Sequence, residues 1–320
     1  MGHLYPSDTM ALAIRLAVFA VILLFLGCAW AVHLRSRVRL HWRKQLGGHA
    51  MFFAPYNLLM YAFSAVPAGA YPDRSRFAEL DPLRDNWKTI RDEAAHLFDQ
   101  GFIREAERNN DASFNSFFKA GWKRFYVKWY GEPLASAQAL CPRTVELVNA
   151  IPNVKAAMFA LLPPGAKLNP HRDPFAGSLR YHLGLITPNA DTCRIFVDGQ
   201  EYFWRDGEDV IFDETCVHWA ENRSDMTRVI LFCDVERPLR SRLMGAINHR
   251  VSAFMGRITS SPNTDNEPVG FINRLYAMGQ RNRERSKRFK HANPKLFRLM
   301  KTVGIVVLLW VVLLAPWPLL

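Results

Sequence analysis

Three rhythms of apolar and polar positions run along this chain. Leu16–Val32 is an uncharged apolar stretch with AVFAVILLFLGCAWAV at its heart, and with Ala11–Arg15 it reaches about 20 residues. That length matches a helix crossing the hydrocarbon core of a bilayer, and Arg15, one turn inside its edge, can extend to the headgroups. Val303–Leu314 (VGIVVLLWVVLL), continuing through Trp317 to Leu320, is a second apolar segment of near-spanning length, with Trp317 suited to an interface. Asp85–Arg108 shows the helical rhythm: Ile90, Ala94, Leu97 and Phe98 recur among charged residues after an early aspartate. From Val154 to Val235 the pattern changes to short apolar runs broken by Gly, Pro and Asp (VKAAMFALLPPG, YHLGLITPN, CRIFVDG, EYFWRDG, DVIFDE, TRVILFCDVE). Strands at intervals of about ten residues predict an antiparallel barrel or sandwich, with Gly165, Gly199 and Gly207 at turns. Met51–Pro67, apolar but interrupted by Pro55 and Asn57, reads as core or as a re-entrant interfacial piece.

Charge orders these segments. The first apolar run has no Lys or Arg in MGHLYPSDTM before it and is followed by HLRSRVRLHWRK (His33–Lys44), the reverse of a cleaved signal peptide. Leu26 is too bulky for lipoprotein processing at Cys28, so an uncleaved anchor is expected. Arg281–Lys301 carries nine Lys or Arg and one Glu just before the second run. Both basic flanks face the middle of the chain, and the positive-inside rule then places residues 33–302 in the cytoplasm of a multi-pass protein. The formal net charge of +12 is thereby explained by contact with anionic inner-leaflet lipids, and nucleic acid drops out as a partner. The five cysteines form no CxxC motif and no even framework, in keeping with a reducing compartment.

The candidate chemistry lies in the strand-rich region. His171 and Asp173 stand two apart, and His218 follows 47 positions after His171. Two histidines and a carboxylate can occupy one face of a metal and leave three positions open, the arrangement of non-haem iron(II) oxygenases. The alternatives are a polar turn between Pro170 and Pro174 and a half-buried histidine beside Trp219. Arg228, ten residues after His218, opens the strand RVILFCDV, where its guanidinium could pair with the distal carboxylate of 2-oxoglutarate or remain a solvated charge at a strand end. Arg180 and His182 share one face of SLRYHLGL; they point either to an anionic ligand or, respectively, to solvent and to a core hydrogen bond.

PHRDPFAGSLRYHLGL (Pro170–Leu185), GEDVIFDETCVHWAEN (Gly207–Asn222) and TRVILFCDVERP (Thr227–Pro238) resemble, in order and spacing, the aspartyl/asparaginyl β-hydroxylase family. The resemblance implies an α+β protein with a double-stranded β-helix (jelly-roll) core, a helical N-terminal part and flanking transmembrane helices. It assigns iron(II) to His171 and His218, with Asp173 the third ligand on facial-triad chemistry, the distal carboxylate of 2-oxoglutarate to Arg228, and its metal-bound carboxylate to Arg180 and His182, with dioxygen as co-reactant. The animal peptide-hydroxylating branch has glycine at the position of Asp173 and two histidine ligands, so a fuller triad is expected here; Ala160 stands where that branch places a serine. The implied organisation is an anchor at 11–32, a juxtamembrane segment at 33–80, a dioxygenase domain at 81–240, a basic helical linker at 241–301 and a second membrane segment at 302–320. The resemblance extends to bacterial membrane members over nearly the whole chain, including MYAFSAVP, DNWKTIRDEA and FNSFFKAGWKRFYVKWYG. It implies 2-hydroxylation of a secondary acyl chain of lipid A at the cytoplasmic face of the bacterial inner membrane. An ornithine-type lipid, a peptidyl Asp/Asn and a non-enzymatic membrane adaptor are the alternatives. The segment Phe114–Gly131 interleaves eight aromatic residues with Lys119, Lys123, Arg124 and Lys128, which suits acyl chains and sugar phosphates, or equally a core with a solvated face.

Overall fold

The apolar runs between Lys123 and Glu236 form two antiparallel sheets in a computed structural model that describes residues 8–42, 45, 49–106 and 111–313. The strands are β1 (Lys123–Trp129), β2 (Val154–Leu162), β3 (Lys167–His171), β4 (Ser178–Ile186), β5 (Cys193–Val197), β6 (Gln200–Phe203), β7 (Asp209–Phe212), β8 (His218–Asn222) and β9 (Arg228–Glu236). One sheet has the order β1-β2-β9-β4-β7 and the other β3-β8-β5-β6. From β2 onward the chain passes repeatedly from one sheet to the other, the winding of a jelly roll. Gly199 and Gly207 adopt φ of 85° and 76° at the connections after β5 and before β7, left-handed backbone that glycine takes without Cβ strain.

Strands β2, β4 and β9 are buried along almost their whole length, because each face of the larger sheet is covered. Phe159, Leu161, Leu183 and Leu231 pack outward with Ile90, Ala94, Leu97, Val145 and Val148 of two helices, Trp87–Asp99 and Pro142–Asn149. Met158, Ala160, Ile230 and Phe232 point to the other side, toward Ile195, Trp204 and Phe212. This inner layer forms the wall of the cavity described below.

The helix expected over Asp85–Arg108 stops at Asp99. Gly101 turns to φ 73°, and the amides of Phe102 and Gly101 donate back to the carbonyls of Leu97 and Phe98 at 2.9 and 3.0 Å, a glycine-led C-cap that ends the helix whatever the periodicity beyond it. Met51–Pro67 contributes a helix at Ala54–Ala62 whose Asn57 bonds the carbonyl of Pro174 and the amide of Ala176, so the polar interruption of that apolar run props the stretch just after Asp173.

The described chain divides into two compact units, one made of the ends up to Trp30 and from Met278 onward, the other of Ala31–Ala277. In the former, the part of helix α1 (Asp8–Arg35) up to Trp30 exposes Leu16, Phe19, Leu23 and Leu24. Among the described residues one helix, Ala13–Arg35, is long and apolar enough to cross a membrane. The C-terminal apolar segment is helical from Pro294 to Leu313, and residues 314–320 of the expected span lie outside the described residues.

Candidate active site

The ladder between β3 and β8 pairs Leu168 with Ala220 and His171 with His218. Three steps on β3 thus face two on β8, a bulge at Asn169–Pro170, where proline has no amide to give to the ladder. Leu168 points inward, and regular alternation would send His171 outward. The extra residue turns it back to the inner face, directly opposite His218. The ring centroids lie 4.2 Å apart.

Both imidazoles are oriented in the same way. Nδ1 of His171 lies 2.7 Å from the carbonyl of Asn169 and Nδ1 of His218 lies 3.0 Å from that of Cys216. A carbonyl only accepts, so each Nδ1 carries a proton and Nε2 is the nitrogen turned toward the other two residues, the orientation a metal ligand requires. Asp173 completes the group: one ligand atom from each of the three residues lies within 4.8 Å of the others, and Nε2 of His171 is 3.8 Å from Oδ1 of Asp173. Two imidazoles and a carboxylate suit a divalent first-row metal, so the residues present fit iron(II).

Burial, with His171 next, pushes the His218 ring down to about 3, so it is neutral at physiological pH. Burial opposes charge on Asp173, yet Arg180, His218 and His171 together hold its carboxyl below the usual range. Arg180 sits at the centre of a carboxylate cluster: it donates to Oδ2 of Asp173 at 2.9 Å and to Oδ1 of Asp234 at 2.8 Å, and it also touches Glu214. Tyr130 donates to the other oxygen of Asp234 at 2.8 Å. Burial lifts Glu214 well above the ordinary carboxyl range despite Arg180, with Asp234 and Asp173 adding to the rise. The guanidinium of Arg180, which the family resemblance assigns to the cosubstrate, is thus also the group that orients Asp173. The acids Glu214 and Asp234 were not singled out from sequence, because an acid between Asp213 and Thr215 and another within the apolar β9 carry no spacing signal of their own.

A cavity with about 440 Å³ of empty volume opens beside this group, lined by His171, His218, Arg180, His182 and Arg228 and walled by apolar side chains such as Phe117 and Trp122. His182 is buried, and neither of its ring nitrogens has a hydrogen-bond partner. Burial, then Arg180, Arg228 and His218, push it well below its ordinary value, which locates the ring among all three. Arg228 is 2% exposed, its Nε has no partner, and its guanidinium lies 4.3 Å over the ring of Trp204. Burial lowers it to about 10. Among the described residues no carboxylate pairs with it. A buried arginine without a counter-ion costs several kcal/mol, and an anionic ligand would remove that cost.

The Phe114–Gly131 segment resolves mostly into core. Phe114, Phe118, Trp122, Phe125 and Tyr126 are buried, and Arg124 pairs internally with Asp111 at 3.1 Å. Phe117 reaches the His-Asp-His group, its ring 4.8 Å from that of His171.

The histidines also set the acid response. Between about pH 3 and the ordinary histidine value near 6.5, the unfolded chain binds a proton that folded His218 does not, so stability falls as pH drops through that window. His182 acts with the same sign. The melting temperature of the metal-free protein in detergent is expected to decline on acidification from about pH 7 to 5, with a shallower slope in His182→Phe. A flat profile contradicts this environment for the two rings.

Residues 84–238 match the family described as Aspartyl/asparaginyl beta-hydroxylase. An ornithine lipid ester-linked acyl 2-hydroxylase of Rhizobium tropici is 42% identical over 121 residues, 38% of this chain and 43% of that protein. The human Aspartyl/asparaginyl beta-hydroxylase is 28% identical over 176 residues, 52% of this chain and 22% of that protein. The chain therefore spans less than half the length of either relative. A Pseudomonas putida prolyl-4-hydroxylase structure has 22% identity and a TM-score of 0.33, covering 48% of this chain and 87% of that one.

Proposed function

We propose that this chain, through the hydroxylase-family region at residues 84–238, is an iron(II)- and 2-oxoglutarate-dependent dioxygenase that adds a 2-hydroxyl to an acyl chain of a membrane lipid. The proposed lipid is lipid A, modified on a secondary acyl chain at the cytoplasmic face of the bacterial inner membrane. The observation that carries the cosubstrate assignment is Arg228, a buried cation with no carboxylate paired to it among the described residues, in a cavity shared with a His-Asp-His group. The lipid assignment rests on the apolar cavity wall, on the spanning-length helix and on the acyl 2-hydroxylase relative.

His171, Asp173 and His218 would hold the ion and leave positions for cosubstrate and oxygen. Iron(II), 2-oxoglutarate and dioxygen, when bound, supply the oxidation of an acyl C–H bond to an alcohol, with succinate and carbon dioxide as by-products. Arg228 would fix the distal carboxylate, His182 would hydrogen-bond the ligand with its unpartnered nitrogens, and Arg180 would bear on the metal-bound carboxylate while holding Asp173. Phe117, Trp122 and Ile195 keep water from the reacting carbon. The apolar segments at 11–32 and 302–320, both with basic flanks toward the middle of the chain, would make the protein multi-pass and hold it on anionic inner-leaflet lipids.

Purified full-length protein in liposomes seeded with lipid A is expected to form succinate and hydroxylated lipid in equal amounts. Hydroxylation of seeded ornithine lipid alone would move the substrate to that alternative. Coupled turnover on an aspartate-containing peptide alone would favour the peptide branch.

A further inference from the structure

The last turn of α1, from Ala31, belongs to the same compact unit as the barrel and is bonded to both loops that carry the metal-ligand candidates. Arg172 stands between His171 and Asp173, is 9% exposed, and donates to the carbonyls of Val32 at 2.8 Å and His33 at 3.5 Å. Those are carbonyls of a helix C-terminus, which carries the negative end of the helix dipole. Arg35, in the same turn, reaches the loop that leads into His218. It donates to Oδ2 of Asp213 at 2.7 Å, to Oγ1 of Thr215 at 3.4 Å and to Sγ of Cys216 at 3.6 Å, with its guanidinium 3.9 Å over Tyr61. Asp213 is shared with Arg237 at 3.0 Å. The carbonyl of Cys216 is the one that orients the His218 ring. Just beyond, the amide of Val38 donates to Asp198 at 2.9 Å, and Asp198 in turn bonds the carbonyl of Val217 at 2.8 Å. Neither arginine reaches the cavity. Their bonds join the end of the apolar helix to the two ligand loops and to nothing else that the proposed reaction uses.

We infer that the end of α1 is a depth stop: Arg172 and Arg35 fix the metal-ligand loops to the turn where the apolar run gives way to the basic flank, and this selects carbon 2 of the acyl chain. The inference rests on the lipid reading above. Val32–Arg35 is one helical turn, a rise of about 5.4 Å. The interfacial layer on each side of the hydrocarbon core is also only about 5–7 Å thick. Ester carbonyls of membrane lipids lie in that layer, and carbon 2 is the first carbon below them. A metal centre bonded to this turn meets carbon 2 at its resting depth, whereas deeper methylenes would have to be drawn upward.

The test uses full-length protein and lipid A, presented either in phosphatidylethanolamine–phosphatidylglycerol liposomes or in detergent micelles, where bilayer depth has no meaning. Arg172→Gln and Arg35→Gln are expected to keep the iron(II)–2-oxoglutarate absorption of the parent and micellar turnover within about twofold. In liposomes they should lose at least about tenfold, since misplacement by about 1 Å costs up to 100-fold, and fragment spectra should show hydroxyl at carbon 3 beside carbon 2. Equal losses in both media, or none in either, overturn the depth stop. If Arg172→Gln loses the absorption band, Arg172→Lys, which keeps one charged donor for the Val32 carbonyl, decides the matter with the same two media. Absence of hydroxylation by the parent in either medium overturns the lipid reading as well, a result distinct from a defect confined to the variants.

Discussion

Replacing Arg228 with methionine is expected to raise the apparent KM for 2-oxoglutarate by about 100-fold while raising the melting temperature of the ligand-free protein. The opposite signs follow from one fact. Arg228 is buried with no anion beside it among the described residues, and burial lowers its affinity for its own proton. Without ligand it is therefore an uncompensated charge, and an apolar side chain of similar length should stabilise the fold by about 1–4 kcal/mol, as when buried ion pairs are replaced by packed apolar residues. With ligand, the same guanidinium would meet a carboxylate in a site closed to water, and truncating one partner of such a pair costs about 2–5 kcal/mol. Steady-state kinetics and a thermal melt of the metal-free protein check both halves. A variant that melts lower and keeps its KM contradicts the role given to Arg228.

His171→Ala and Asp173→Ala should each abolish detectable hydroxylation. Loss of a residue behind a metal ligand typically costs 10–100-fold, and loss of a ligand should cost more than that. The two variants differ in their secondary effects. His171→Ala removes one donor and leaves the acid cluster intact, whereas Asp173→Ala also takes away one of the carboxylates around buried Arg180, leaving Asp234 and Glu214. Asp173→Ala should therefore also lower the thermal stability of the metal-free protein, and His171→Ala should change it little. A sequence lacking this carboxylate, as in the two-histidine branch, would need another arrangement around the arginine of β4.

The three candidate ligands stand out in the sequence because they are chemically conspicuous; the reason they converge does not. The sequence leaves His171 and Asp173 as a metal pair or a polar turn, and His171 reaches the cavity through a bulge at Asn169–Pro170 that the spacing does not reveal. Six apolar runs identified β2, β4, β5, β6, β7 and β9. Strand β3, KLNPH, lacks apolar alternation, and β8, HWAEN, has polar and aromatic residues at the register of a functional wall. Strand β1 is hidden inside a segment whose aromatics and cations read equally as an interface or as a core with a solvated face, and burial makes five of its eight aromatics core. The roles of Arg172 and Arg35 were illegible for another reason. Each sits in a basic or polar neighbourhood that solvent would satisfy equally well, and only the tertiary contact with the helix end gives them meaning.

The account stands most directly on the lipids of a cell that makes the protein. Mass spectra of lipid A and ornithine lipid from cells carrying the intact chain are compared with spectra from the same cells carrying Asp173→Ala. The account predicts a species heavier by one oxygen atom, with the oxygen at carbon 2 of an acyl chain of lipid A, present with the intact chain and absent with the variant. Identical lipid spectra from the two strains would contradict it.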